Sequence, residues 1–567
     1  MKKKILFIVI FLIIIVVSII LLLPKKQQSN NKYLINLNDL TYQENDNKNN
    51  LKIYTQDEFN QFLNDYNNNN LPNVYITEFL FDGVSMYKTY DLDDFIEKGN
   101  NLEVTALKIT NLNINNIGNY ELTGKMEGMI SVNTNNLKGN INITLNGVNI
   151  DSSSKKVPAI LVYNKDITYT DCKVTIIPKE NSKNYIEGGK LKKVSLIPSD
   201  ELNSYTNYYT GDNKTNYSNY TNYYGVYTKE QIDNILLAKI QADNEDLQDG
   251  DPYYFYKAAG AISSDIDLYF EGSGYLEVTS KNKEGIETKG NLTFSGGIGD
   301  YVINAEDDCL NTTTTSNQNN ARNTLTIDVN TLTAIVDASD DADEGDSIDS
   351  NGTLIINGGT ILAIAHPGQD AGIDSENGIY INDGTIIATG DMYDEVSSES
   401  KQNFMVLSFQ QSPNIDTLIT LLDSSNNQIF AYKTDRTYTN LVYSSPKLEN
   451  GTYYLYKDGT IDGTETNGFY TKINNYTKGI QLGYSNNNIM GMGGNTPPDM
   501  ENRQMPSNDF NPNANREKIS DDKENLTPPD MNNMTTPNDI MGSASNKEFI
   551  INSISNLFSG INELTNE

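Results

Sequence analysis

Gly285-Ile286-Glu287, Cys309-Leu310-Asn311, Ser347-Ile348-Asp349 and Gly372-Ile373-Asp374 are four versions of one phrase in the middle of the chain. Three of them are followed by a strand pattern at a fixed offset. Leu292, Leu354 and Ile379 fall six residues after the Ile, and Phe294, Ile356 and Ile381 fall eight after it. Gly297, Gly359 and Gly384 fall eleven after it. Ile262, with Leu268 and Phe270, fits the same template one unit earlier. The steps run about 24 to 25 residues, except one stretched by the polar insert Asn311–Asn323. A fixed period in this range marks a solenoid. Short alternating strands punctuated by Gly and Asn, with no helical period between them, make the expected fold all-β, a parallel β-helix.

Such a fold stacks equivalent side chains, and this sequence places acids at the turns. The candidate metal ligands are Glu284, Glu287, Glu306, Asp307, Asp308, Asp340, Asp341, Asp343, Glu344, Asp346, Asp349, Asp370 and Asp374. Neighbouring strands lie about 4.8 Å apart. Two carboxylates at that separation repel by about 1 kcal/mol in water and about 3 to 4 at an effective dielectric of 20. Few Lys or Arg lie nearby to offset this. Hard divalent cations with all-oxygen coordination suit the ladder, and calcium suits it best. The competing reading is a solvated acidic edge that keeps the protein soluble. The Asp340–Asp349 run lacks the Gly and terminal Glu spacing of an EF-hand.

The chain has 567 residues and a net charge of −33, which argues against a nucleic-acid partner because phosphate binding needs a basic face. Cys172 and Cys309 are its only cysteines and read as small buried side chains. Met1-Lys2-Lys3-Lys4 precedes an apolar run from Ile5 to Leu23, followed by Pro24-Lys25-Lys26. That run is long enough to cross a bilayer, with the lysines on the cytoplasmic side. Residues 1–26 are therefore expected to be an uncleaved signal anchor, making residues 5–23 the membrane contact and the bulk of the chain extracellular. A cleaved signal peptide is the alternative.

Residues 27–100 read as a polar, Asn-rich spacer and an N-terminal cap, with Phe59, Phe62 and Leu63 on one face of a short helix. Residues 101–395 form the expected β-helix, interrupted by an insert at about 190–255. Ser204 to Tyr227 is almost wholly Asn, Tyr, Thr and Ser, too poor in aliphatics for its own core. Thr228-Lys-Glu-Gln231 reads as a capping box ahead of an apolar helical face at Ile232, Ile235, Leu236 and Ile240. Residues 396–485 look like an antiparallel β module that covers the open end, because an uncapped β-helix presents a bare sheet edge. Residues 486–567 read as a low-complexity tail in which Thr496-Pro-Pro-Asp-Met500 recurs at Thr527-Pro-Pro-Asp-Met531. Phe549, Ile550, Ile554, Leu557, Phe558 and Ile561 predict a short amphipathic helix at its end.

Tyr120-Glu-Leu122-Thr-Gly124, the Leu145-Asn146-Gly147-Val148 strand, and the (Gly/Ser)-Ile-(Glu/Asp) units ending in Asn357-Gly-Gly-Thr360 and Asn382-Asp-Gly-Thr385 resemble a known family. It is the surface-anchored carbohydrate-binding β-helix family of clostridia and related bacteria. The stretch with Ser444-Ser445-Pro446 and the Asn450-Gly451-Thr452-Tyr453 turn is similar to that family's end module. The resemblance implies a right-handed parallel β-helix that binds calcium and acidic or cellulosic polysaccharide, such as polygalacturonate or cellulose. The fold is shared with pectate lyases, although these relatives are binders. The family's usual Asp-Asp-Gly-Ile turn reads Asp307-Asp308-Cys309-Leu310 here.

Three function classes follow. In a noncatalytic surface binder, calcium rigidifies turns and bridges to sugar carboxylates. A polysaccharide lyase needs calcium to acidify the proton beside a uronate carboxyl, and an Arg or Lys base. Arg322 is the best candidate base, with Lys281, Lys283 and Lys289 as substitutes. A structural adhesin without sugar specificity is the third. The single histidine, His366, lies in a turn, so a zinc cluster or a Ser/His triad has little to work with.

Overall fold

The computed structural model describes residues 31–44, 47–78, 109–155, 157–164, 171–188, 194–197, 253–255, 260–281, 284–313, 323–339, 345–368, 370–485 and 546–564. These residues are nearly all β, with one short α-helix at Phe59–Asn67. The membrane-anchor segment, the Tyr/Asn insert with its helical face and the repeated Thr-Pro-Pro-Asp-Met motifs lie outside them. Among the described residues no helix is long and apolar enough to cross a membrane.

The repeat places strands in register rather than merely in sequence. Ile262 pairs with Ile286, Ile286 with Leu310, Leu310 with Ile348, and Ile348 with Ile373, all in parallel. This is the first ladder. A second runs through Leu268, Leu292, Leu325, Leu354 and Ile379, again parallel. A third joins Tyr275–Ser280, Asp300–Ala305, Thr324–Val336, Thr353–Ile364 and Thr385–Gly390. The polar insert delays one second-ladder strand, yet Leu325 and Ile327 still fall in line with Leu292 and Phe294. Alternation along each strand sends every second side chain inwards. Leu268, Phe270, Leu292, Phe294, Leu325, Ile327, Leu354, Ile356, Ile379 and Ile381 are all fully buried in one core. The periodic glycines turn the chain between the second and third ladders, with φ of +66° at Gly297, +113° at Gly359 and +105° at Gly384. That left-handed region disfavours any side chain.

Phe270 and Phe294 stack at 4.7 Å with rings 12° apart, one level above the other. Their burial and their ring contact both depend on the register. Phe294→Ala is expected to cost about 3 to 5 kcal/mol of stability, measured by denaturant unfolding. A loss below 1 kcal/mol would show that the core collapses around the gap.

Two sequence expectations are corrected. The Asn-rich stretch read as a spacer contains the strand Lys32–Asn36, which pairs in parallel with Gly118–Asn133 and buries Tyr33 and Ile35. The surrounding stretch is polar, but alternation puts Tyr33 and Ile35 on one face, and an exposed strand edge beside Tyr120 accepts them. Phe59–Asn67 is the expected helix, with Phe62 fully buried against Tyr54 and Tyr75.

The terminal helix is the second correction. Phe549–Ile551 and Ser555–Glu563 are strands. Phe549 pairs with Tyr453 in the antiparallel module, and Ser555–Glu563 runs parallel to Phe404–Phe409. The apolar spacing fits a helix in isolation, but Ile550 and Leu557 are exposed at 48% and 49% while Phe549, Ile551, Phe558 and Ile561 are buried. Open sheet edges supplied backbone partners that an isolated helix could not match. Apart from the parallel pairing of Ser555–Glu563 with Phe404–Phe409, the module is antiparallel. Its strand Asn440–Ser444 pairs with Thr385–Gly390 and so covers the edge of the third ladder. Leu362, Ile364 and Ile387, on the outer face of that ladder, share a second core with Met405, Leu407 and Leu421.

Candidate functional site

First-ladder strands are three residues long with both end residues buried; the middle one is half-buried at Glu287, Asp349 and Asp374 and buried at Ser263 and Asn311. The middle positions therefore stack on the outer side as Ser263, Glu287, Asn311, Asp349 and Asp374. Asp308 and Asp346 precede their strands by two residues and lie beside the same stack. Asp346, Asp349 and Asp374 each bring a carboxylate oxygen within 4.8 Å of the other two.

Backbone and amide groups hold this cluster in place. Asp308 Oδ1 accepts the Asp346 N–H at 2.9 Å, and Asp346 Oδ1 accepts the Ala371 N–H at 2.5 Å. Asn311 Nδ2 donates to both Asp308 Oδ2 and Asp349 Oδ2, the latter at 3.0 Å. Asn351 Nδ2 also donates to Asp349 Oδ2, at 2.9 Å. Asp394, from the loop after the last third-ladder strand, accepts the Ser375 N–H at 3.2 Å. Asn311 is 7% exposed, and its Oδ1 is buried without a hydrogen-bond partner.

The electrostatics are those of crowded acids. Burial, reinforced by the charge of Asp374, raises the Asp349 carboxyl to about 8. Burial raises Asp346 to about 7 against the opposing Ala371 hydrogen bond, with Asp374 and Asp370 adding to the rise. Asp374 rises to about 6 through burial and then Asp394. Asp308 lies well above the carboxylate range through burial and then Asp307. Among the described residues no Lys or Arg forms an ion pair with these four. Three converging carboxylates are hard donors of the kind calcium takes.

The other predicted acids are placed differently. The Glu287 carboxylate accepts Ser263 Oγ at 2.5 Å and the Gly260 N–H at 3.2 Å, so its neighbours occupy it. Asn311 separates it from Asp349 along the stack. Asp307 accepts the Asp308 N–H at 3.1 Å, and Asp370 Oδ2 lies 3.7 Å from His366 Nδ1 in the expected turn. Glu284 and Glu306 stand near their turns but outside the three-carboxylate group. Asp340, Asp341, Asp343, Glu344, Lys283 and Arg322 lie outside the described residues. Lys289 Nζ meets Asp265 Oδ1 at 2.5 Å, and that carboxylate outweighs the burial that lowers its pKa and leaves it raised. Cys172 and Cys309 are buried as expected and form no disulfide, and burial pushes the Cys309 thiol up.

Sequence reasoning missed Asn311 and Asp394 as members of the cluster. Asn311 stands at the position the period assigns to an acid, so the period itself could have flagged it. Asp394 follows the last repeat and carried no signal. Residues 226–411 match a family model described as carbohydrate-binding domain-containing protein. Comparison with curated proteins and with solved structures gives no match. The matched span contains the whole carboxylate cluster and supports carbohydrate binding by this part of the chain.

Proposed function

We propose that the chain is an extracellular, noncatalytic carbohydrate-binding protein that holds calcium and recognises acidic or cellulosic polysaccharide. The observation that carries this reading is the convergence of Asp346, Asp349 and Asp374 inside the family-matched span. In this reading the three in-register ladders are the faces of a right-handed parallel β-helix. Asp346, Asp349 and Asp374 hold the ion. Bound calcium supplies positive charge to which uronate carboxylates coordinate. The chain's own part is to present rigid oxygen donors and to keep Lys and Arg away from them. A position outside the cell, tethered through residues 5–23, exposes the site to calcium high enough for a site of modest affinity.

A lyase is the alternative reading, and its best candidate base, Arg322, lies outside the described residues. Lys289 is held charged by Asp265, which is the wrong state for abstracting a proton. The test is the affinity of the full chain for polygalacturonate and for cellulose, in millimolar calcium and in chelator. Chelation is expected to weaken polygalacturonate binding at least tenfold, because two polyanions then meet without a shared cation. Equal binding in both buffers would remove calcium from the mechanism. Failure to bind either polymer in either buffer would remove the carbohydrate.

A further inference from the structure

The three converging acids lie on the first ladder, whereas the outward faces of the other two ladders at earlier levels carry tyrosines and lysines interleaved with Glu271 and Glu277. Lys173 Nζ lies 4.2 Å from the centroid of the Tyr269 ring, and Lys183 Nζ lies 5.9 Å from that of Tyr275. Register produces this arrangement. Thr175 stands beside Tyr269 in the second ladder, Lys183 beside Tyr275 and Tyr185 beside Glu277 in the third. Tyr185 is 40% exposed, and its ring meets that of Tyr275 edge-on at 6.1 Å.

The rings are held by rigid backbone. The Tyr275 hydroxyl donates to Glu277 Oε2 at 2.7 Å, and Lys173 Nζ also reaches Glu271 Oε1 at 2.9 Å. The turn between Tyr269 and Tyr275 nests against the turn below it. A Cβ on Gly272, whose φ is +113°, would lie 2.4 Å from the Pro178 carbonyl oxygen, and one on Gly274 would lie 2.2 Å from that of Lys179. Only glycine permits this approach, and it brings the tyrosine-bearing strands level with the lysine-bearing ones.

Tyrosine offers a flat apolar face with a polar tip, which suits the C–H face of a pyranose. Lysine offers a mobile point charge to a carboxylate. On a chain of net charge −33, outward-facing cations are where a polyanion can approach without metal. We propose that Tyr185, Tyr269 and Tyr275, with Lys173 and Lys183, form a second carbohydrate subsite, which takes uronate-bearing polysaccharide by ring stacking and lysine–carboxylate pairing. This rests on the carbohydrate-binding reading above but not on its metal.

Lys183 and Tyr185 are both exposed on the strand Lys183–Gly188, so changing them spares the core. The experiment compares the full chain with the K183A/Y185A double variant and with each single variant. Affinities for polygalacturonate and for its fully methyl-esterified form are measured in saturating calcium, and the melting-temperature rise on adding calcium is recorded beside them. The double variant is expected to bind polygalacturonate at least fivefold more weakly while keeping the full calcium-dependent rise. Lys183→Ala should weaken only the unesterified polymer, and Tyr185→Ala should weaken both. Unchanged affinity in the double variant overturns the subsite. Equal loss for both polymers in Lys183→Ala overturns its preference for uronate. If the unaltered chain binds neither polymer, the carbohydrate reading falls and the subsite with it.

Discussion

Replacing Asp346, Asp349 and Asp374 with Asn is expected to raise the melting temperature of the metal-free protein at pH 8 and to lower it in millimolar calcium. The opposite signs follow from the raised carboxyls, at about 7, about 8 and about 6. A carboxyl whose folded pKa exceeds its unfolded value keeps its proton in the native state after the unfolded chain has released it. Stability therefore falls as pH rises from the unfolded value of about 4 through the folded values, and stops falling above about 8. Asn removes the ionisation and with it the penalty. The metal-free gain should vanish near pH 4 and reach a few kcal/mol, roughly 5 °C, by pH 8. In calcium the same change removes the ligands, so the stabilisation by mass action is lost instead. Thermal unfolding at pH 4, 6 and 8, with calcium and with chelator, measures both arms. An equal loss with and without metal would show that these residues act through packing.

Removing residues 546–567 should unfold the C-terminal antiparallel module while leaving the parallel ladders folded. Phe549, Ile551, Phe558 and Ile561 are each at most 5% exposed. Burying each contributes about 1.5 to 3 kcal/mol, so the segment supplies roughly 6 to 12. The Tyr484 ring lies 5.0 Å from both Phe549 and Phe558, and would face water without them. The strand Phe404–Phe409 would also lose its parallel neighbour. Hydrogen exchange reports the result: amides of Ile419–Asp423 and Gly451–Lys457 should lose protection, and those of Thr324–Val336 should keep it. Retained protection across the module would show that its antiparallel strands suffice alone. Phe558→Ala is a milder form of the same change, with an expected cost of about 3 to 5 kcal/mol.

The central ladders were legible because a repeat reports its own register. Once Ile262, Ile286, Leu310, Ile348 and Ile373 are recognised as equivalent, strand alternation fixes which neighbours point inwards and which stack outside. Asp349 and Asp374 were found in that way, and so were Leu268, Leu292, Leu354 and Ile379 of the inward stack, while Leu325 came only from the pairing. The site was only partly legible. Alignment along the stack is periodic, but convergence of three oxygens within 4.8 Å depends on how the turn carrying Asp346 bends, and that is set by the Ala371 N–H and the neighbouring level. Glu287 had the right position and sign, yet Ser263 draws its carboxylate aside.

By itself, the sequence determined the all-β class, the levels of the parallel ladders and the side on which the acids lie, because each follows from local alternation multiplied by a period. Only the tertiary structure decided the fates of Lys32–Asn36 and of residues 549–563. Neither segment repeats: one sits in a polar, Asn-rich stretch and the other has apolar spacing that also fits a helix. Each became a strand because a distant part of the chain left a sheet edge whose backbone groups needed partners, and that demand is written in no local pattern.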